Sequence, residues 1–233
     1  MLARLGFGPA IDEQADPARL AAMGDAVRAR LLADPRATPR GGHRADLFTV
    51  PGFASPQLCQ ALVAAIERDT APSTLYDDGG TAGVRTSSTH YFRDHALAHR
   101  LAGDIDALLG LPRSHAETMQ GQRYRQGEEY RHHFDYFRTH RAHWQRERNR
   151  GGQRSWTAML YLNAPEAGGA TDFPRLGLSI APHAGLLVTW NNMDRAGRPN
   201  PALLHAGTPV EAGVKTVITQ WYRLNPWSAH TPD

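Results

Sequence analysis

Apolar positions along the first third of the chain recur at helical spacing and are separated by stretches rich in proline and glycine. Residues 17–33 (PARLAAMGDAVRARLLA) show this spacing, with Asp16 placed to cap the helix and Pro17 at its first position. Residues 34–44 combine proline, glycine and charge, which is typical of a linker. We therefore expect residues 1–44 to form a helical segment and linker of their own.

A short strand and two more helices are predicted before the middle of the chain. LFTVPGF predicts the strand, and SPQLCQALVAAIERD predicts a helix with Ser55 as N-cap and Pro56 at the first helical position. YDDGGTAGVRTSSTHYF predicts a flexible turn followed by a strand. DHALAHRLAGDIDALLGL is amphipathic and is expected to end at Gly110 and Pro112.

From about Glu117 onward the pattern becomes that of short strands. Brief runs rich in β-branched and aromatic residues lie between turns that contain glycine or proline. The runs are TMQGQRY, EYRHHFDYF, SWTAMLYLN, GATDF, LSI, GLLVTWNN, ALLHAG and VKTVITQWYR. Eight such runs in succession favour a barrel or a sandwich over a parallel α/β sheet.

The composition is that of a globular protein able to bury a core, with 41% hydrophobic and 21% charged residues. We find no apolar run of the length of a membrane span and no secretory leader, so we expect no membrane association. The single cysteine, Cys59, fits a reducing compartment. We therefore expect a cytoplasmic protein.

The basic residues are almost all arginines, although the net charge is only +3. Lys215 is the one lysine among 26 basic residues, so a compact ammonium group stands where the chain otherwise uses planar guanidinium groups. On the predicted last strand it shares a face with Thr219, Trp221 and Arg223. A buried cation there can hold the far carboxylate of a dicarboxylic acid whose other end chelates a metal.

Residues 137–154 (FRTHRAHWQRERNRGGQR) are dense in arginine and are predicted to form a long, mobile loop. Clustered arginines together with Trp144 fit either a nucleic acid or an acidic peptide or protein surface. Because Glu147 interrupts the run, the net charge is small and no nucleic-acid recognition motif is present, the acidic partner is favoured.

His133 and Asp135 stand two residues apart in the predicted strand EYRHHFDYF, so their side chains are expected to share a face. Alone this pattern is weak, because twelve histidines produce such a pair by chance, and a hydrogen-bonded His–Asp pair is the simpler interpretation. His205, on a later apolar strand, can approach the pair in a small barrel. Two histidines and one carboxylate on one face of a metal are typical of non-haem Fe(II) oxygenases.

The segment 117–223 resembles the prolyl 4-hydroxylase branch of the 2-oxoglutarate- and Fe(II)-dependent dioxygenases. The matching motifs are Y-x-x-G-x-x-Y-x-x-H-x-D at 124–135, GGQR at 151–154, YLN and GGATDF within 161–173, and H-A-G-x-P-V-x-x-G-x-K at 205–215, followed by W-x-R. With VRTSST at 84–89 and the preceding helix, the resemblance covers residues 47–225, and residues 1–44 fall outside it.

The resemblance implies a fold that is mainly β with flanking α. Its core would be a double-stranded β-helix (a cupin-like jelly roll) over about residues 117–223, with N-terminal supporting helices. The dioxygenase domain would span residues 45–226, and residues 227–233 would form a C-terminal tail.

The resemblance also implies Fe(2+), 2-oxoglutarate and O2 as cofactor and co-substrates, with ascorbate as the reductant. His133, Asp135 and His205 would be the iron ligands. Lys215 would pair with the distal carboxylate of 2-oxoglutarate, and Tyr124 would hydrogen-bond the same group.

The positions that the family uses around the substrate correspond to Tyr130, Arg154 and Trp221. The implied reaction is 4-hydroxylation of peptidyl proline with release of succinate and CO2, on a peptide or protein substrate. Arg223 stands where some eukaryotic members have a histidine, which leaves open hydroxylation of a free amino acid or other small molecule. A non-catalytic barrel that holds a ligand or partner is a third alternative, disfavoured by the intact ligand set and lysine.

Overall fold

The computed structural model describes residues 15–73 and 85–229 of the 233-residue chain. The beginning of the predicted N-terminal segment, the predicted turn YDDGG, the first residue of VRTSST and the end of the predicted C-terminal tail lie outside the described residues. Within the described ranges the fold is mainly β with helices, as the sequence predicts.

The described residues contain helices α1 (Pro17–Ala33), α2 (Pro56–Arg68), α3 (Ala96–Leu109) and α4 (Trp144–Asn149), and 3-10 helices at Arg113–His115 and Pro201–Leu203. The predicted caps are present: Asp16 and Ser55 each accept a hydrogen bond from a backbone N–H three residues on, at 3.2 Å. Gly110 ends α3 at a φ of 69°, which favours glycine. None of these helices is long and apolar enough to cross a bilayer.

Each of the eight runs predicted from Glu117 onward contains a strand. The strands are β1 (Thr38–Pro39), β2 (Leu47–Val50), β3 (Ala71–Pro72), β4 (Ser88–Phe92), β5 (Met119–Tyr124), β6 (Tyr130–His133), β7 (Arg154–Tyr161), β8 (Ala167–Gly168), β9 (Thr171–Phe173), β10 (Leu178–Ile180), β11 (Leu187–Asn191), β12 (His205–Gly207), β13 (Val210–Ala212) and β14 (Lys215–Arg223).

The strands pair antiparallel in separate sheets rather than in one closed barrel. The large sheet has the order β1-β2-β11-β7-β14-β5-β4-β3, the small sheet has the order β10-β9-β12-β6, and β13 pairs with β8. Of the two alternatives that the strand pattern leaves open, the sandwich is therefore the one observed. Two packed antiparallel sheets with long crossovers are the jelly-roll arrangement.

The outer face of the large sheet is covered by helices. One apolar cluster joins α1, α2 and α3 to this face, and it includes Leu31, Leu62, Ile105, Trp156 and Ile218. Because these side chains are withdrawn from water on both the helical and the sheet side, the helices hold the large sheet as a rigid platform.

The inner face of the large sheet packs against the small sheet. A second cluster fills this space, with Met159, Val188 and Val217 from the large sheet facing Phe173 and Ile180 from the small sheet. Polar side chains that project into this layer are enclosed by apolar neighbours. An ionisable group between the sheets therefore has a large desolvation cost in its charged form.

Helix α1 belongs to the same helical layer, although the sequence assigns it to a separate segment. Leu20, Val27 and Leu31 on its inner side are buried, and the helix contacts α3 and β7. Part of the predicted linker is also ordered, because Thr38–Pro39 pairs with β2. A domain boundary at residues 44 and 45 stays a prediction.

The arginine-rich stretch 137–154, predicted as a loop, is partly helical. Helix α4 occupies Trp144–Asn149, and the side chains of Trp144 and Glu147 are buried. Trp144 belongs to a small apolar cluster with Phe137. The prediction of a loop throughout is therefore wrong, because the i, i+3 spacing places one aromatic and one acidic side chain on the inner side of a helical turn.

Candidate functional site

His133 and His205 lie opposite each other on neighbouring strands of the small sheet. Strand β6 ends at His133, β12 begins at His205, and the two residues are Cα partners in the antiparallel pair. Asp135 lies beyond the end of β6, so the bend after the strand, and not the alternation predicted from sequence, directs it to the same place. One ligand atom from each of the three side chains lies within 4.8 Å of the other two.

Backbone carbonyls fix the ring nitrogen that each histidine turns toward this cluster. Nδ1 of His133 lies 2.8 Å from the carbonyl oxygen of Arg131, and Nδ1 of His205 lies 3.0 Å from that of Leu203. Since a carbonyl oxygen only accepts, each Nδ1 carries the proton and each Nε2 presents its lone pair. Each Nε2 lies 3.8 Å from an oxygen of Asp135.

A chain of buried hydrogen bonds orients the carboxylate of Asp135. The hydroxyl of Thr157 donates to Asp135 Oδ2 at 2.7 Å, and Asn192 Nδ2 donates to that hydroxyl oxygen at 2.9 Å. Trp190 Nε1 donates in turn to Asn192 Oδ1 at 3.1 Å. Such outer partners hold a ligand in one orientation while leaving its other lone pairs available.

Burial and nearby charges shift the pKa values of His133 and Asp135. Burial, reinforced by His205 and opposed by Asp135, lowers the pKa of His133 to about 3. Burial alone would raise the pKa of Asp135, but His205, His133 and Arg154 together hold it below its usual range. Neutral imidazole and ionised carboxylate are the forms that bind a metal, so His133 and Asp135 are in their metal-binding forms at neutral pH.

The donor set fits a non-haem Fe(II) ion. Two imidazoles and one carboxylate can occupy one face of the ion and leave the opposite face for other ligands, whereas a structural zinc site is closed by four protein ligands. Among the described residues, no other group of three or more His, Cys, Asp or Glu side chains meets the same distance limit. His133, Asp135 and His205 therefore form the candidate metal centre.

Lys215 lies deep between the sheets and is 2% exposed. Its Cα partner on β5 is Tyr124, and its Nζ lies 4.4 Å from the centre of that ring. Nζ donates to the carbonyl oxygen of Gly169 at 3.0 Å, and no carboxylate of the described residues lies within ion-pair distance of it. Burial lowers the pKa of Lys215 to about 8. A buried ammonium group without an anionic partner is favourably placed to bind an anion.

An open cleft of about 1170 Å³ lies on the accessible side of the metal-ligand cluster, and it is lined by Tyr130, Arg154 and Trp221 as well as by His133 and Asp135. The ring of Tyr130 stacks on that of His133, with 3.5 Å between the centres. The guanidinium of Arg154 lies 4.1 Å from the centre of the Trp221 ring. The three side chains predicted around the substrate thus lie in one cleft with two of the predicted iron ligands.

A buried ion-pair network lies behind Arg154. Glu117 accepts two hydrogen bonds from Arg154, at 2.6 and 2.8 Å, and a third from Nε of Arg223. Arg223 also donates to Glu147 at 2.6 Å and to the carbonyl oxygen of Gly152 at 2.7 Å. Burial alone would raise the pKa of Glu117, but Arg154 and Arg223 lower it to about 2.

Arg223 is fully buried in this network and does not line the cleft. Regular strand alternation predicts that Arg223 shares a face with Lys215 and Trp221. In the structure a register shift between Tyr222 and Arg223 interrupts this alternation. Arg223, which departs from the family pattern, therefore does not contact the cleft directly. It is connected to the cleft through Glu117, which also binds Arg154.

The comparisons with known proteins agree with this geometry. Residues 119–223 match the 2OG-Fe(II) oxygenase superfamily. Prolyl 4-hydroxylase 1 of Arabidopsis thaliana is 30% identical over 198 residues, which cover 76% of this chain and 68% of that protein. The chain belongs to the 2OG-Fe(II) oxygenase superfamily.

Two further relatives show which members this 2OG-Fe(II) oxygenase is similar to. Prolyl 4-hydroxylase subunit alpha-1 of Rattus norvegicus is 32% identical over 179 residues, and the chain spans 32% of the length of that subunit. The crystal structure of a viral collagen prolyl hydroxylase from Paramecium bursaria Chlorella virus-1, in complex with 2OG, matches with a TM-score of 0.60 and 28% identity, over 76% of this chain and 95% of that one.

The comparisons confirm the jelly-roll fold and the resemblance to prolyl 4-hydroxylases. The family and the His–Asp–His cluster make Fe(II) and 2-oxoglutarate the cofactor and co-substrate of this oxygenase. The individual roles of the residues around them stay predictions, which the geometry above supports with distances and hydrogen bonds.

Sequence reasoning missed Glu117, Thr157 and Gly169. Glu117 and Thr157 carry no local signal, because their partners are 106 and 22 residues away in the chain. Gly169 had a signal in the motif GGATDF: its φ is +70°, and a Cβ there would lie 3.3 Å from Cδ of Lys215. A glycine at this place lets its carbonyl reach the ammonium group.

Proposed function

We propose that this oxygenase hydroxylates proline residues of a peptide or protein at C4, with release of succinate and CO2. The observation that carries the proposal is the combination of an open-faced His–Asp–His cluster, a buried lysine without an anionic partner, and a large cleft leading to the cluster. The similarity to prolyl 4-hydroxylases from a plant, an animal and a virus supports the same reaction.

His133, Asp135 and His205 would hold the iron through their Nε2 atoms and one carboxylate oxygen. Fe(II), 2-oxoglutarate and O2, when bound, supply the oxidation that replaces an unactivated C–H bond by C–OH, and ascorbate would keep the iron ferrous. The protein orients these groups: the carbonyls behind each Nδ1 and the hydroxyl of Thr157 fix the ligand directions before any substrate arrives.

Lys215 would neutralise the distal carboxylate of 2-oxoglutarate. Its ammonium group is buried and donates a hydrogen bond to the carbonyl oxygen of Gly169. A carboxylate that binds there would supply the counter-charge without requiring the lysine to move. The phenol of Tyr124, on the partner strand, would donate a hydrogen bond to the same carboxylate.

Tyr130, Arg154 and Trp221 would form the wall against which the substrate lies. Tyr130 is fixed by stacking on a metal ligand, and Arg154 is fixed by its two hydrogen bonds to Glu117 and by Trp221. Rigid side chains hold a reacting carbon at a defined distance from the metal and keep water from its other faces.

Hydroxylation of a free amino acid or other small molecule is the second candidate. The dimensions of the cleft favour a peptide, since about 1170 Å³ exceeds the upper end of the usual range for small-molecule pockets, about 1000 Å³. A peptide can fill such a cleft on both sides of one reacting residue.

Turnover of 2-oxoglutarate tests the proposal. Protein loaded with Fe(II), ascorbate and 2-oxoglutarate should release succinate with a proline-containing peptide library, and mass spectrometry should find one added oxygen on proline. The variant His133→Ala should abolish both signals, while His183→Ala, which changes an exposed histidine that does not line the cleft, should retain them. Oxygen added only to small molecules would contradict the peptide substrate, and absence of both succinate release and 2-oxoglutarate binding would favour the non-catalytic barrel.

We further propose a catalytic domain at residues 45–226, which depends on α1 to cover its helical layer, and a cytoplasmic location. The location rests on the use of cysteine, since Cys59 is a single buried thiol. Fractionation of cells that express a tagged chain tests it, and recovery of the tag outside the cytoplasm would contradict it.

A further inference from the structure

The cleft beside the candidate metal centre is strongly basic. Seven of its lining residues are arginines, and two, Glu117 and Asp135, are acidic. The net charge of the whole chain is only +3, so the positive charge is concentrated at this opening. Low-dielectric walls that carry one sign of charge raise the local concentration of ligands of the opposite sign.

The two carboxylates neutralise only part of the basic wall. Glu117 is engaged by Arg154, which lines the cleft, and by Arg223, which does not. Asp135 belongs to the candidate metal centre and accepts the hydrogen bond of Thr157. Both acids are thus committed to partners inside the protein.

Four of the lining arginines, Arg85, Arg93, Arg138 and Arg141, have no carboxylate within ion-pair distance in the part of the chain that the structure describes. Arg85 is held in place by the hydroxyls of Ser87 and Thr89, at 2.9 and 3.3 Å. Arg93, Arg138 and Arg141 are exposed at the opening.

Two of these arginines lie beside aromatic rings next to the candidate metal centre. The guanidinium of Arg85 lies 5.0 Å from the centre of the Tyr130 ring, and that ring stacks on His133. The guanidinium of Arg138 lies 6.0 Å from the centre of the Phe134 ring, which follows His133 in the chain. A peptide that places one residue at the metal therefore lies in the same cleft as both basic groups.

Aromatic side chains lie between the basic groups. Phe134 and Tyr136 stack with 4.7 Å between ring centres, and both line the cleft. Proline-rich segments in the extended polyproline conformation bind to grooves lined in this way. The cleft thus combines a surface for proline rings with guanidinium groups for carboxylates.

We propose that the substrate is an acidic peptide, with aspartate or glutamate side chains close to the target proline, recognised by Arg85, Arg138 and Arg141. The inference rests on the proposed function, which makes proline the hydroxylated residue. It adds that the residues next to this proline in the substrate are acidic. Each exposed ion pair contributes little alone, but several together produce a preference that falls as salt rises.

A matched peptide series tests the preference. Three peptides share one proline-containing core and carry glutamate, glutamine or lysine at the same flanking positions. At low ionic strength we expect kcat/KM for the glutamate peptide to exceed that for the lysine peptide at least about tenfold, with the glutamine peptide between them. Fluorescence anisotropy of labelled peptides should give the same order of affinities without turnover, and the difference should shrink as salt is added.

Variants locate the preference. The double substitution Arg138→Gln and Arg141→Gln should reduce the ratio of kcat/KM for the glutamate peptide to that for the lysine peptide about threefold or more. Arg40→Gln removes an exposed arginine that does not line the cleft, and it should leave the ratio unchanged.

The outcomes separate this inference from the proposed function. Equal affinity for the three peptides, or a lysine preference, overturns the acidic-substrate inference even where proline is hydroxylated. Tight binding of the glutamate peptide without hydroxylation supports the inference and counts against proline as the reacting residue. A labelled single-stranded oligonucleotide that binds more tightly than the glutamate peptide and displaces it assigns the basic cleft to nucleic acid and overturns the inference.

Discussion

Lys215 and Tyr124 face each other across two neighbouring strands, with the lysine ammonium 4.4 Å from the centre of the tyrosine ring. The pair is enclosed between the two sheets, and both side chains are at least 95% buried. A cation over an aromatic face is stabilised by the ring, but that attraction replaces only part of the lost hydration. The position is therefore costly for the folded chain unless an anion binds there.

Removal of the ammonium should weaken 2-oxoglutarate binding. In Lys215→Ala the distal carboxylate loses a charge-assisted partner in an enclosed site, so the 2-oxoglutarate concentration for half-maximal succinate release should rise at least about tenfold. Lys215→Arg keeps the charge but changes its shape, and it should recover only part of the loss. An unchanged requirement in the alanine variant would remove Lys215 from the site.

The same lysine should make stability depend on pH in the absence of 2-oxoglutarate. Its folded pKa is about 8 against an ordinary value of 10.5, so below pH 8 the ammonium is charged in both states and its burial destabilises the folded state in full. Between these values the folded lysine releases its proton while the unfolded lysine keeps it, and the stability of the wild type rises.

Urea denaturation of the wild type and Lys215→Met across this range checks the sign. Below about pH 8 the methionine variant should be more stable by roughly 1–4 kcal/mol, because an apolar side chain replaces a buried, unpaired cation. The difference should shrink as the pH rises toward 10.5. A constant difference would mean that the ammonium is not desolvated.

The hydroxyl of Thr157 should control metal affinity through Asp135. Thr157→Val keeps the shape of the side chain but removes the hydrogen bond to the carboxylate, so affinity for Fe(II) or a Co(II) substitute should fall about 10–100-fold by calorimetry. Thr189→Val is a matched control, since the Thr189 hydroxyl is equally buried but donates to the backbone carbonyl of Thr157. Equal metal affinities in both variants would contradict the role of the hydroxyl.

Glu117 should hold together the network behind the cleft. Glu117→Gln leaves Arg154 and Arg223 without their shared charge, and the free energy of unfolding at neutral pH should fall by about 3–5 kcal/mol. Because the pKa of Glu117 is lowered from 4.5 to about 2, this contribution is complete above pH 4.5 and is lost as the pH falls toward 2.

Asp34→Asn is the control for this prediction. The pKa of Asp34 is also lowered to about 2, by Arg36, but the arginine of that pair is 56% exposed, so solvent screens the interaction. Denaturant midpoints should therefore show a much smaller loss for Asp34→Asn than for Glu117→Gln. Similar losses would mean that burial adds nothing to the Glu117 network.

The motifs that contain the candidate metal ligands are short and can be found in the sequence, and the role of His133, Asp135 and His205 as ligands stays a prediction. The spacing in H-x-D and the turn between His205 and Lys215 are each contained within a few residues, and each predicted run from Glu117 onward forms a strand. Two-residue strands such as Ala71–Pro72 have no alternation to detect, and they were missed.

The features that the sequence does not predict, the ion-pair network of Arg223 and helix α4, depend on contacts between residues that are far apart in the chain. Arg223 meets Glu117 across 106 positions and Glu147 across 76, and neither pair leaves a pattern in one sequence. Helix α4 was missed for a related reason: its arginines indicate an exposed loop, while Trp144 and Glu147 are held inside by partners elsewhere in the chain. Burial of a charged residue is decided by its partner, not by its neighbours in sequence.

Helix α1 sets a lower limit on how short a working fragment can be. Its side chains Leu20, Val27 and Leu31 are buried, and the helix contacts α3 and β7. A recombinant polypeptide cut at the proline-rich stretch 34–44 would therefore expose the apolar surface that α1 covers. Such a truncation should precipitate or require detergent, whereas one that keeps α1 should stay monodisperse in size-exclusion chromatography. The shortest useful product for crystallisation or screening thus begins ahead of Asp16.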